Sequence, residues 1–326
     1  MPFRASRNSE NCSRAEGAAI LPRVIRRVAC TPTLTALALL SAPASAAQLT
    51  VLEHPQPGRV EVRVAEDDPW TARPAHPQDS AAVNVLRTLS SLLPNPLAGV
   101  PVRCTPDRGE AVGTWTDDRG RATCTVPPGA GAVRVEVPGA AAQTAPDWHL
   151  DTARHLTVTD LDDTVIVTGV RQGGAARVLR QNALTRPVFP GAPELLRAQA
   201  ARGPVVYLSN SPEGLAAPLR ELLGKHGLPA GPLLLRDFPG VPGPRHKRQA
   251  LDALARQTGA ALTLIGDSGE HDPELYAAFA QAWPGRVERV LIRDVVGGER
   301  RAEVERLSGL LGKQGVAWGW LPGEEH

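Results

Sequence analysis

Several acidic and hydroxyl side chains in this sequence directly follow apolar segments. The run HLTVT at 155–159 ends at DLDD, residues 160–163, so three carboxylates lie within four residues. The run VVYL ends at Ser209, and the run LTLIG ends at Asp267. Two close carboxylates, a hydroxyl group and a distant acid are groups that a metal-assisted phosphoryl transfer requires.

A parallel sheet would bring these residues together. Ligands of open parallel sheets bind beyond the carboxyl ends of the strands, so residues that directly follow successive strands converge. Asp160, Asp162, Ser209 and Asp267 are therefore predicted to share one site. Lys247 follows a proline- and glycine-rich loop after the run LLLR and can reach the same edge. It is one of only three lysines in the chain.

Strand and helix patterns alternate from residue 149 to 314. Five apolar runs predict strands, and amphipathic segments with proline near the start or glycine near the end predict helices between them. This alternation is typical of βαβ units, and it predicts an α/β fold with a Rossmann-like parallel sheet flanked by helices. We assign residues 315–326 to a C-terminal tail.

Residues 47–148 have a different pattern. Short β-branched runs separated by Gly, Pro and Asp predict a small β-sandwich-like domain that precedes the α/β domain. Leu86, Leu89 and Leu93 have helical spacing, which predicts one helix packed on a sheet. The segment 140–146 is rich in Ala, Gln, Thr and Pro and is predicted to be a hinge.

The first 46 residues have the layout of a signal peptide. An apolar run at 28–42 follows two arginines and leads to ASA at 44–46, a small-residue cleavage signal. The run is shorter than the ~20 residues that a transmembrane helix needs. We predict cleavage after Ala46, export to the periplasm or the medium, and no transmembrane segment in the mature chain.

Charge and cysteine content agree with export. Residues 1–46 contain six arginines and two glutamates, a charge of +4, so the total of +2 leaves −2 for the remainder. No nucleic-acid partner is expected for such a chain. The two cysteines that follow the leader, Cys104 and Cys124, lie in strand patterns, which favours a disulfide in an exported domain.

The ordered set of polar residues resembles the haloacid dehalogenase (HAD) superfamily of phosphotransferases. D-x-D-x-T at 160–164 is followed by Ser209, Lys247 and a GD pair at 266–267 with Asp272 beyond it. More narrowly, DLDDTV, VVYLSNSP, GPLLLRDF, RHKRQALDAL and GDSGEHDPELY are similar to the catalytic domain of the actin-patch-type phosphatidate phosphatases and their bacterial relatives. The resemblance covers about residues 150–300.

This resemblance implies a role for each matching residue. Asp160 would be the nucleophile that forms an aspartyl phosphate, and Asp162 would act first as general acid and then as general base. Ser209 and Lys247 would bind the transferring phosphoryl group and offset its charge. Asn210 is a further candidate for substrate binding.

The same resemblance implies a Mg²⁺ site. Its ligands would be the Asp160 carboxylate, the Asp162 backbone carbonyl, Asp267, and Asp272 either directly or through water. A hard cation with few protein oxygens and several waters fits this set. Asp163 is interpreted as a solvent-exposed or backbone-capping acid.

The resemblance implies that the substrate is a phosphomonoester. No large cap domain is inserted near the predicted site, so bulky esters are admitted, including a phospholipid at a membrane surface. The resemblance favours phosphatidate, and soluble or protein phosphomonoesters are the alternative.

Two functions of other kinds are also considered. One is a non-catalytic exported scaffold or adhesion protein. A serine protease based on Ser268 and His155 is disfavoured, because an α/β pattern surrounds the GDSG segment.

Overall fold

The structure is a computed structural model that describes residues 47–169, 174–237 and 240–323. The signal peptide predicted at 1–46 lies outside the described residues. Two antiparallel sheets come first in the chain, and a six-stranded parallel sheet with flanking helices follows. The predicted α/β fold with a preceding small β domain is therefore confirmed.

Seven short strands form the two antiparallel sheets. They are β1 (Ala47–Leu52), β2 (Arg59–Glu66), β3 (Pro101–Pro106), β4 (Val112–Trp115), β5 (Arg121–Thr125), β6 (Val133–Glu136) and β7 (Gln143–Ala145). The strand orders are β1-β2-β5 and β4-β3-β6-β7. Alternate side chains such as Val60, Val62 and Val64 of β2 are buried in one apolar cluster, as the two-residue period of a strand requires.

Strand β7 lies inside the segment that was predicted to be a hinge. Its backbone pairs with β6, and the Gln143 side chain bonds to strand β1. The Gln143 Nε2 atom donates to the Leu49 carbonyl at 2.6 Å, and its Oε1 atom accepts from the Val51 amide at 3.2 Å. The hinge prediction was wrong because these long-range bonds outweigh a local composition that disfavours strands.

Cys104 of β3 and Cys124 of β5 are joined by a disulfide, with their Cα atoms 6.4 Å apart. Both residues are fully buried, and they belong to different sheets. The bond therefore crosslinks the two sheets of the β domain through its core.

Reduction of this disulfide is expected to lower the free energy of unfolding by ~3 kcal/mol, because the bond closes a loop of about 20 residues in the unfolded chain. Urea denaturation of the oxidised protein and of the protein in reductant measures this difference. A Cys104→Ala/Cys124→Ala variant, which reductant cannot affect, is the control. Equal unfolding midpoints for oxidised and reduced wild-type protein would refute the prediction.

Two helices, α1 (Pro69–Ala72) and α2 (Ala81–Leu92), separate β2 from β3. Helix α2 begins after Ser80, whose Oγ atom accepts from the Val83 amide at 3.3 Å. The helix prediction is confirmed, but the predicted packing of its leucines was wrong. Leu86, Leu89 and Leu93 are 41%, 42% and 74% exposed.

The parallel sheet has the order β10-β9-β8-β11-β12-β13, and every neighbouring pair is parallel. Its strands are β8 (His155–Thr159), β9 (Val205–Pro212), β10 (Leu233–Arg236), β11 (Ala261–Asp267), β12 (Val287–Arg293) and β13 (Ala317–Leu321). The strand order reverses between β8 and β11. Ligands of such sheets bind in the crevice at this switch point.

Strand β13 corrects the boundary of the predicted tail. Residues 317–321 pair with β12 in parallel and form an edge of the sheet, so the α/β part extends beyond residue 314. The segment AWGWL is short and contains a central glycine and an alanine, both depleted in strands, which weakens its local strand signal. Pairing with β12 supplies the stabilisation that local propensity does not.

Six helices follow α2, and apolar clusters lie on both faces of the parallel sheet. The helices are α3 (Ala175–Arg180), α4 (Ala192–Ala200), α5 (Ala216–Lys225), α6 (Gly243–Gln257), α7 (Asp272–Ala282) and α8 (Gly298–Lys313). All of them except α3, which contacts α2, contribute buried side chains to these clusters. Helix α6 begins at Gly243, so Lys247 lies within the helix, on the same buried face as Leu251 and Leu254.

No helix in the described ranges is both long enough and apolar enough to cross a membrane.

Candidate active site

The predicted site residues meet at the switch point of the parallel sheet. Asp160 directly follows β8, and its amide donates to the Ile265 carbonyl of β11 at 2.9 Å. Asp267 ends β11 next to it. Lys247 reaches this point from α6, and its Nζ atom lies 3.0 Å from Asp160 Oδ1 and 2.7 Å from Asp272 Oδ1. The predicted convergence of these residues is what the structure shows.

Asp160, Asp267 and Asp272 form a buried cluster of carboxylates. One oxygen atom of each lies within 4.8 Å of the others, and each residue is at most 2% exposed. Asp267 Oδ1 accepts from two backbone amides, those of Gly269 at 2.6 Å and Glu270 at 2.9 Å. These bonds fix the direction of the second carboxylate oxygen.

Two oxygens of this cluster lack a hydrogen-bond donor. Asp267 Oδ2 and Asp272 Oδ2 are buried and accept no hydrogen bond from any described residue. Buried polar atoms of this kind need a partner, and a metal ion is a common one. A small divalent cation, which prefers carboxylate oxygens, fits the donor set.

Gly266 allows Asp272 to approach the end of β11. A Cβ atom at this position would lie 2.4 Å from Asp272 Oδ2, closer than the sum of the van der Waals radii of the two atoms. Any larger residue would displace the carboxylate. This close approach explains why the residue before Asp267 is a glycine.

Burial shifts the pKa of each charged group in the cluster. Burial raises the pKa of Asp160 and Asp272 above the usual range, and burial together with the charge of Asp272 raises the pKa of Asp267 to about 7. Burial alone would lower the pKa of Lys247, but the charges of Asp160 and Asp272 outweigh it and raise that pKa. Lys247 therefore remains an ammonium group, and the cluster holds more carboxylates than one ammonium can neutralise.

Glu270 is a site residue that was not predicted from the sequence. Its Oε2 atom accepts from Lys247 Nζ at 3.1 Å and from Asn210 Nδ2 at 3.1 Å. The signal was its place between Asp267 and Asp272, in a loop whose ends both carry site carboxylates. Asn210 was predicted to bind substrate, and in this structure its amide nitrogen bonds to Glu270.

Asp162 lies next to the hydroxyl groups of Ser209 and Ser211. Its Oδ2 atom accepts from Ser209 Oγ at 3.1 Å and from Ser211 Oγ at 2.8 Å. The Ser209 Oγ atom also accepts from the Ser211 amide at 2.9 Å. The side chains of Asp160 and Asp162 thus have different partners, since Asp160 bonds to Lys247 and Asp162 to two hydroxyl groups.

Asp163 has a structural role. It has a positive φ of 56°, and its Oδ1 atom accepts from the amides of Thr168 at 2.9 Å and Gly169 at 2.6 Å. These bonds close the turn that follows Asp162. The interpretation of Asp163 as a backbone-capping acid agrees with this geometry.

The geometry excludes the serine protease hypothesis. His155 begins β8 and is paired in register with Ala261 at the start of β11, whereas Ser268 follows the end of β11. Seven residues of extended strand separate Ala261 from Ser268, a distance of about 20 Å. Such a distance prevents His155 from acting as the base for Ser268.

The β domain contacts loops at the rim of the site. Arg121 of β5 forms ion pairs with Glu213, which directly follows β9, and with Asp237 at 3.0 Å, which directly follows β10. Arg119 bonds to the same Asp237 carboxylate at 2.8 Å. The chain segments that follow β9 and β10 are thus held by arginines of the β domain.

Comparison with known proteins agrees with this site. Residues 155–294 match the family model described as the catalytic domain of phosphatidate phosphatase APP1. The segment is similar to that catalytic domain. The predicted resemblance is thereby confirmed, and Asp160, Ser209, Lys247, Asp267 and Asp272 all lie in the APP1-like segment.

Two curated yeast proteins are similar to this chain. An uncharacterised protein of Schizosaccharomyces pombe is 31% identical over 152 residues, which are 43% of this chain and 25% of that protein. Phosphatidate phosphatase APP1 of Saccharomyces cerevisiae is 27% identical over 150 residues, which are 42% of this chain and 25% of that protein. The matched region thus spans about a quarter of the length of these relatives.

Among solved structures, a chain of a Pnkp1/Rnl/Hen1 complex aligns with 54% of this chain. The alignment covers 48% of the matched chain, with a TM-score of 0.30 and 16% sequence identity.

Proposed function

We propose that this protein is a Mg²⁺-dependent phosphomonoester hydrolase that acts through an aspartyl phosphate, and that its substrate is phosphatidate. The observation that carries the proposal is the buried cluster of Asp160, Asp267 and Asp272 with Lys247 bonded to it. Two of its oxygens lack a donor among the described residues, which favours a cation there. The match of residues 155–294 to a phosphatidate phosphatase domain supports the substrate.

Asp160 is the proposed nucleophile. Its carboxylate is oriented by Lys247 at 3.0 Å and by Thr164 Oγ1 at 3.2 Å. An Asp160 oxygen forms a bond to phosphorus while the ester P–O bond breaks, which splits one difficult hydrolysis into two steps. Mg²⁺ held by Asp160, Asp267 and Asp272 would neutralise negative charge on the phosphoryl oxygens.

Asp162 is the proposed acid and base. It gives a proton to the leaving alkoxide in the first step. In the second step it takes a proton from a water molecule that attacks the phosphorus of the aspartyl phosphate. Inorganic phosphate then leaves, and the Asp160 carboxylate is restored. The hydroxyl groups of Ser209 and Ser211 hold Asp162 in position.

A substrate assay separates the lipid from the soluble alternative. Protein spanning residues 47–326 is assayed with Mg²⁺ against phosphatidate in mixed micelles and against soluble phosphomonoesters. We expect hydrolysis of phosphatidate with a higher kcat/KM than any soluble ester, and no hydrolysis in EDTA. Activity on soluble esters alone would overturn the lipid assignment and leave the mechanism in place.

Mg²⁺ is expected to stabilise the protein more at about pH 8 than at about pH 5.5, because the ion binds deprotonated carboxylates. The pKa of Asp267 is raised from 3.8 to about 7 in the folded state, mainly by burial. At pH values between 3.8 and about 7, the folded state binds more protons than the unfolded state. The metal-free protein therefore loses stability as pH rises through this range. Mg²⁺ should reverse this loss.

Thermal unfolding with saturating Mg²⁺ and with EDTA, at both pH values, measures the effect. Asp267→Asn is expected to remove most of the Mg²⁺-induced rise in Tm. Asp252→Asn, at a half-buried residue of α6 outside the carboxylate cluster, is the matched control that should retain it. A Tm that Mg²⁺ leaves unchanged at both pH values would contradict the proposed cation site.

We also propose that the protein is exported. The signal peptide predicted at 1–46 and the paired cysteines of the β domain support this location. Mass spectrometry of the protein recovered from its native host would give the mature N-terminus, expected at Ala47. Recovery from the cytoplasm with residues 1–46 attached would contradict the proposal.

A further inference from the structure

Arg293 is a buried charge that the mechanism above does not use. It is the last residue of β12, at the carboxyl end of the parallel sheet, and it is 3% exposed. It forms no ion pair with any residue that the structure describes. Burial of a charge without a partner of opposite sign is costly, and it lowers the pKa of this guanidinium to about 10. We therefore expect Arg293 to have a specific task at this end of the sheet.

The Arg293 side chain contacts three segments at the rim of the site. Its Nε atom donates to the Thr164 carbonyl at 2.6 Å, in the turn that follows Asp160. Its Nη1 atom donates to the Pro322 carbonyl, directly after β13. The guanidinium carbon lies 4.2 Å from the centre of the Phe189 ring, which is within the range of a cation–π contact. The guanidinium thus fastens the turn after Asp160 to two neighbouring segments.

Thr164 connects Arg293 to the proposed nucleophile. The Thr164 Oγ1 atom donates to Asp160 Oδ2 at 3.2 Å, and both residues are buried. The carbonyl that accepts from Arg293 belongs to the same threonine. A bond that fixes this carbonyl therefore also fixes the position from which the hydroxyl group reaches Asp160.

The backbone of Arg293 bonds to the other half of the site. Arg293 is paired in register with Asp267 of β11, and its carbonyl accepts from the Ser268 amide at 2.9 Å. The same residue is thus linked to the Asp160 turn by its side chain and to the end of β11 by its main chain. A displacement of about 1 Å in a reacting group can lower a rate by about 10²-fold, so this link bears on catalysis.

We propose that Arg293 is a positioning residue, whose bond to the Thr164 carbonyl holds the turn at 160–164 so that Asp160 stays oriented for attack on phosphorus. The inference rests on the proposed function, because the orientation of Asp160 affects a rate only if Asp160 is the nucleophile. Arg293 would act through Thr164 and would not contact the substrate.

The test compares Arg293→Met with Arg286→Met as a matched control. Arg286 directly precedes β12, at the opposite end of the same strand. Its guanidinium also donates to backbone carbonyls, those of Ala255 at 2.7 Å, Thr258 at 2.8 Å and Ala260 at 3.0 Å. The two substitutions therefore remove similar bonds at opposite ends of the sheet.

Activity is measured with Mg²⁺ on a soluble phosphomonoester, well below the Tm of each variant. Arg293→Met should lower kcat by about 10²-fold and change KM by less than about 3-fold, because the bonds it removes lie within the protein. Arg286→Met should keep kcat within a few-fold of the wild type. Wild-type kcat in Arg293→Met would overturn the proposal. So would a raised KM with unchanged kcat, which would show direct contact with the substrate.

Arg293→Lys is a second variant that keeps the positive charge in the site. Lysine lacks the planar fork that bonds to two carbonyls and stacks on an aromatic ring. This variant should lower kcat at least ~10-fold, since a single ammonium group does not hold the turn in the same way. Wild-type kcat in Arg293→Lys would show that charge alone is sufficient, and it would overturn the positioning role.

Hydrogen exchange measures the turn without substrate or Mg²⁺. Amides in the peptide that covers residues 155–169 should exchange faster in Arg293→Met than in the wild type. Arg286→Met corrects for a general loss of stability, and exchange in this peptide should be slower there than in Arg293→Met. Equal exchange in the two variants would overturn the proposal. Faster exchange in Arg293→Met, with wild-type protein that hydrolyses no phosphomonoester, would support the positioning of the turn and refute the proposed function.

Discussion

Asp160→Asn is expected to lower kcat on any accepted phosphomonoester by ~10³-fold or more, because an amide oxygen is a poor nucleophile for phosphorus. The substitution keeps the size of the side chain and its bond from Thr164. It also removes one buried carboxylate from a cluster with excess negative charge. The folded state should therefore persist, with a Tm of the metal-free protein equal to or above that of the wild type.

Asp163→Asn is the matched control for this experiment. Asp163 lies three residues away, and an asparagine there retains the oxygen that accepts from Thr168 and Gly169. Asparagine also tolerates the positive φ of this position. Its kcat should stay within a few-fold of the wild type. An Asp160→Asn protein that turns over at the wild-type rate would remove Asp160 from the chemistry.

Lys247→Met is expected to affect both stability and activity. Its ammonium group is the buried counter-charge of Asp160, Asp272 and Glu270, so its removal leaves these carboxylates uncompensated. Loss of one partner of a buried ion pair costs about 3–5 kcal/mol. The free energy of unfolding should fall by that amount at about pH 8 without Mg²⁺, and kcat should fall at least ~10²-fold.

The pH dependence of the stability of Lys247→Met shows whether the loss comes from uncompensated carboxylates or from lost packing. Without Lys247, the folded carboxylates hold protons more tightly than the unfolded ones, so stability should rise as pH falls from about 8 to about 5. Mg²⁺ at high pH should restore part of the loss. Lys313→Met, at the exposed end of α8, is the control and should leave stability and kcat unchanged. A loss of stability in Lys247→Met that neither acid nor Mg²⁺ reduces would indicate a packing role only.

The site was predictable because its residues follow strands. Asp160 and Asp267 come directly after apolar runs, and parallel strands bring their carboxyl ends to one edge whatever the details of the helices. Lys247 was predictable because it follows the loop after the run LLLR, which can reach the same edge, and because the chain has only three lysines. Glu270 was not, because a glutamate in a loop has no periodic pattern that indicates its direction.

The errors in the fold have a common physical cause. The short strands β7 and β13 are held by pairing with distant strands, and their own residues have weak strand propensity. The leucines of α2 have the spacing of a buried face, yet Asn84 forms the long-range bonds that set the rotation of the helix. Local periodicity predicts that an amphipathic helix forms, and tertiary hydrogen bonds decide which side it buries.

The most direct test of the account is to trap the intermediate on Asp160. Protein with Mg²⁺ is mixed with a substrate whose phosphoryl group is isotopically labelled, quenched in acid during turnover, and digested for peptide mapping. We predict a base-labile label on the peptide that contains residues 155–164, absent in EDTA and absent in Asp160→Asn. A label on any other residue, or steady turnover with no labelled peptide, would contradict the aspartyl-phosphate mechanism.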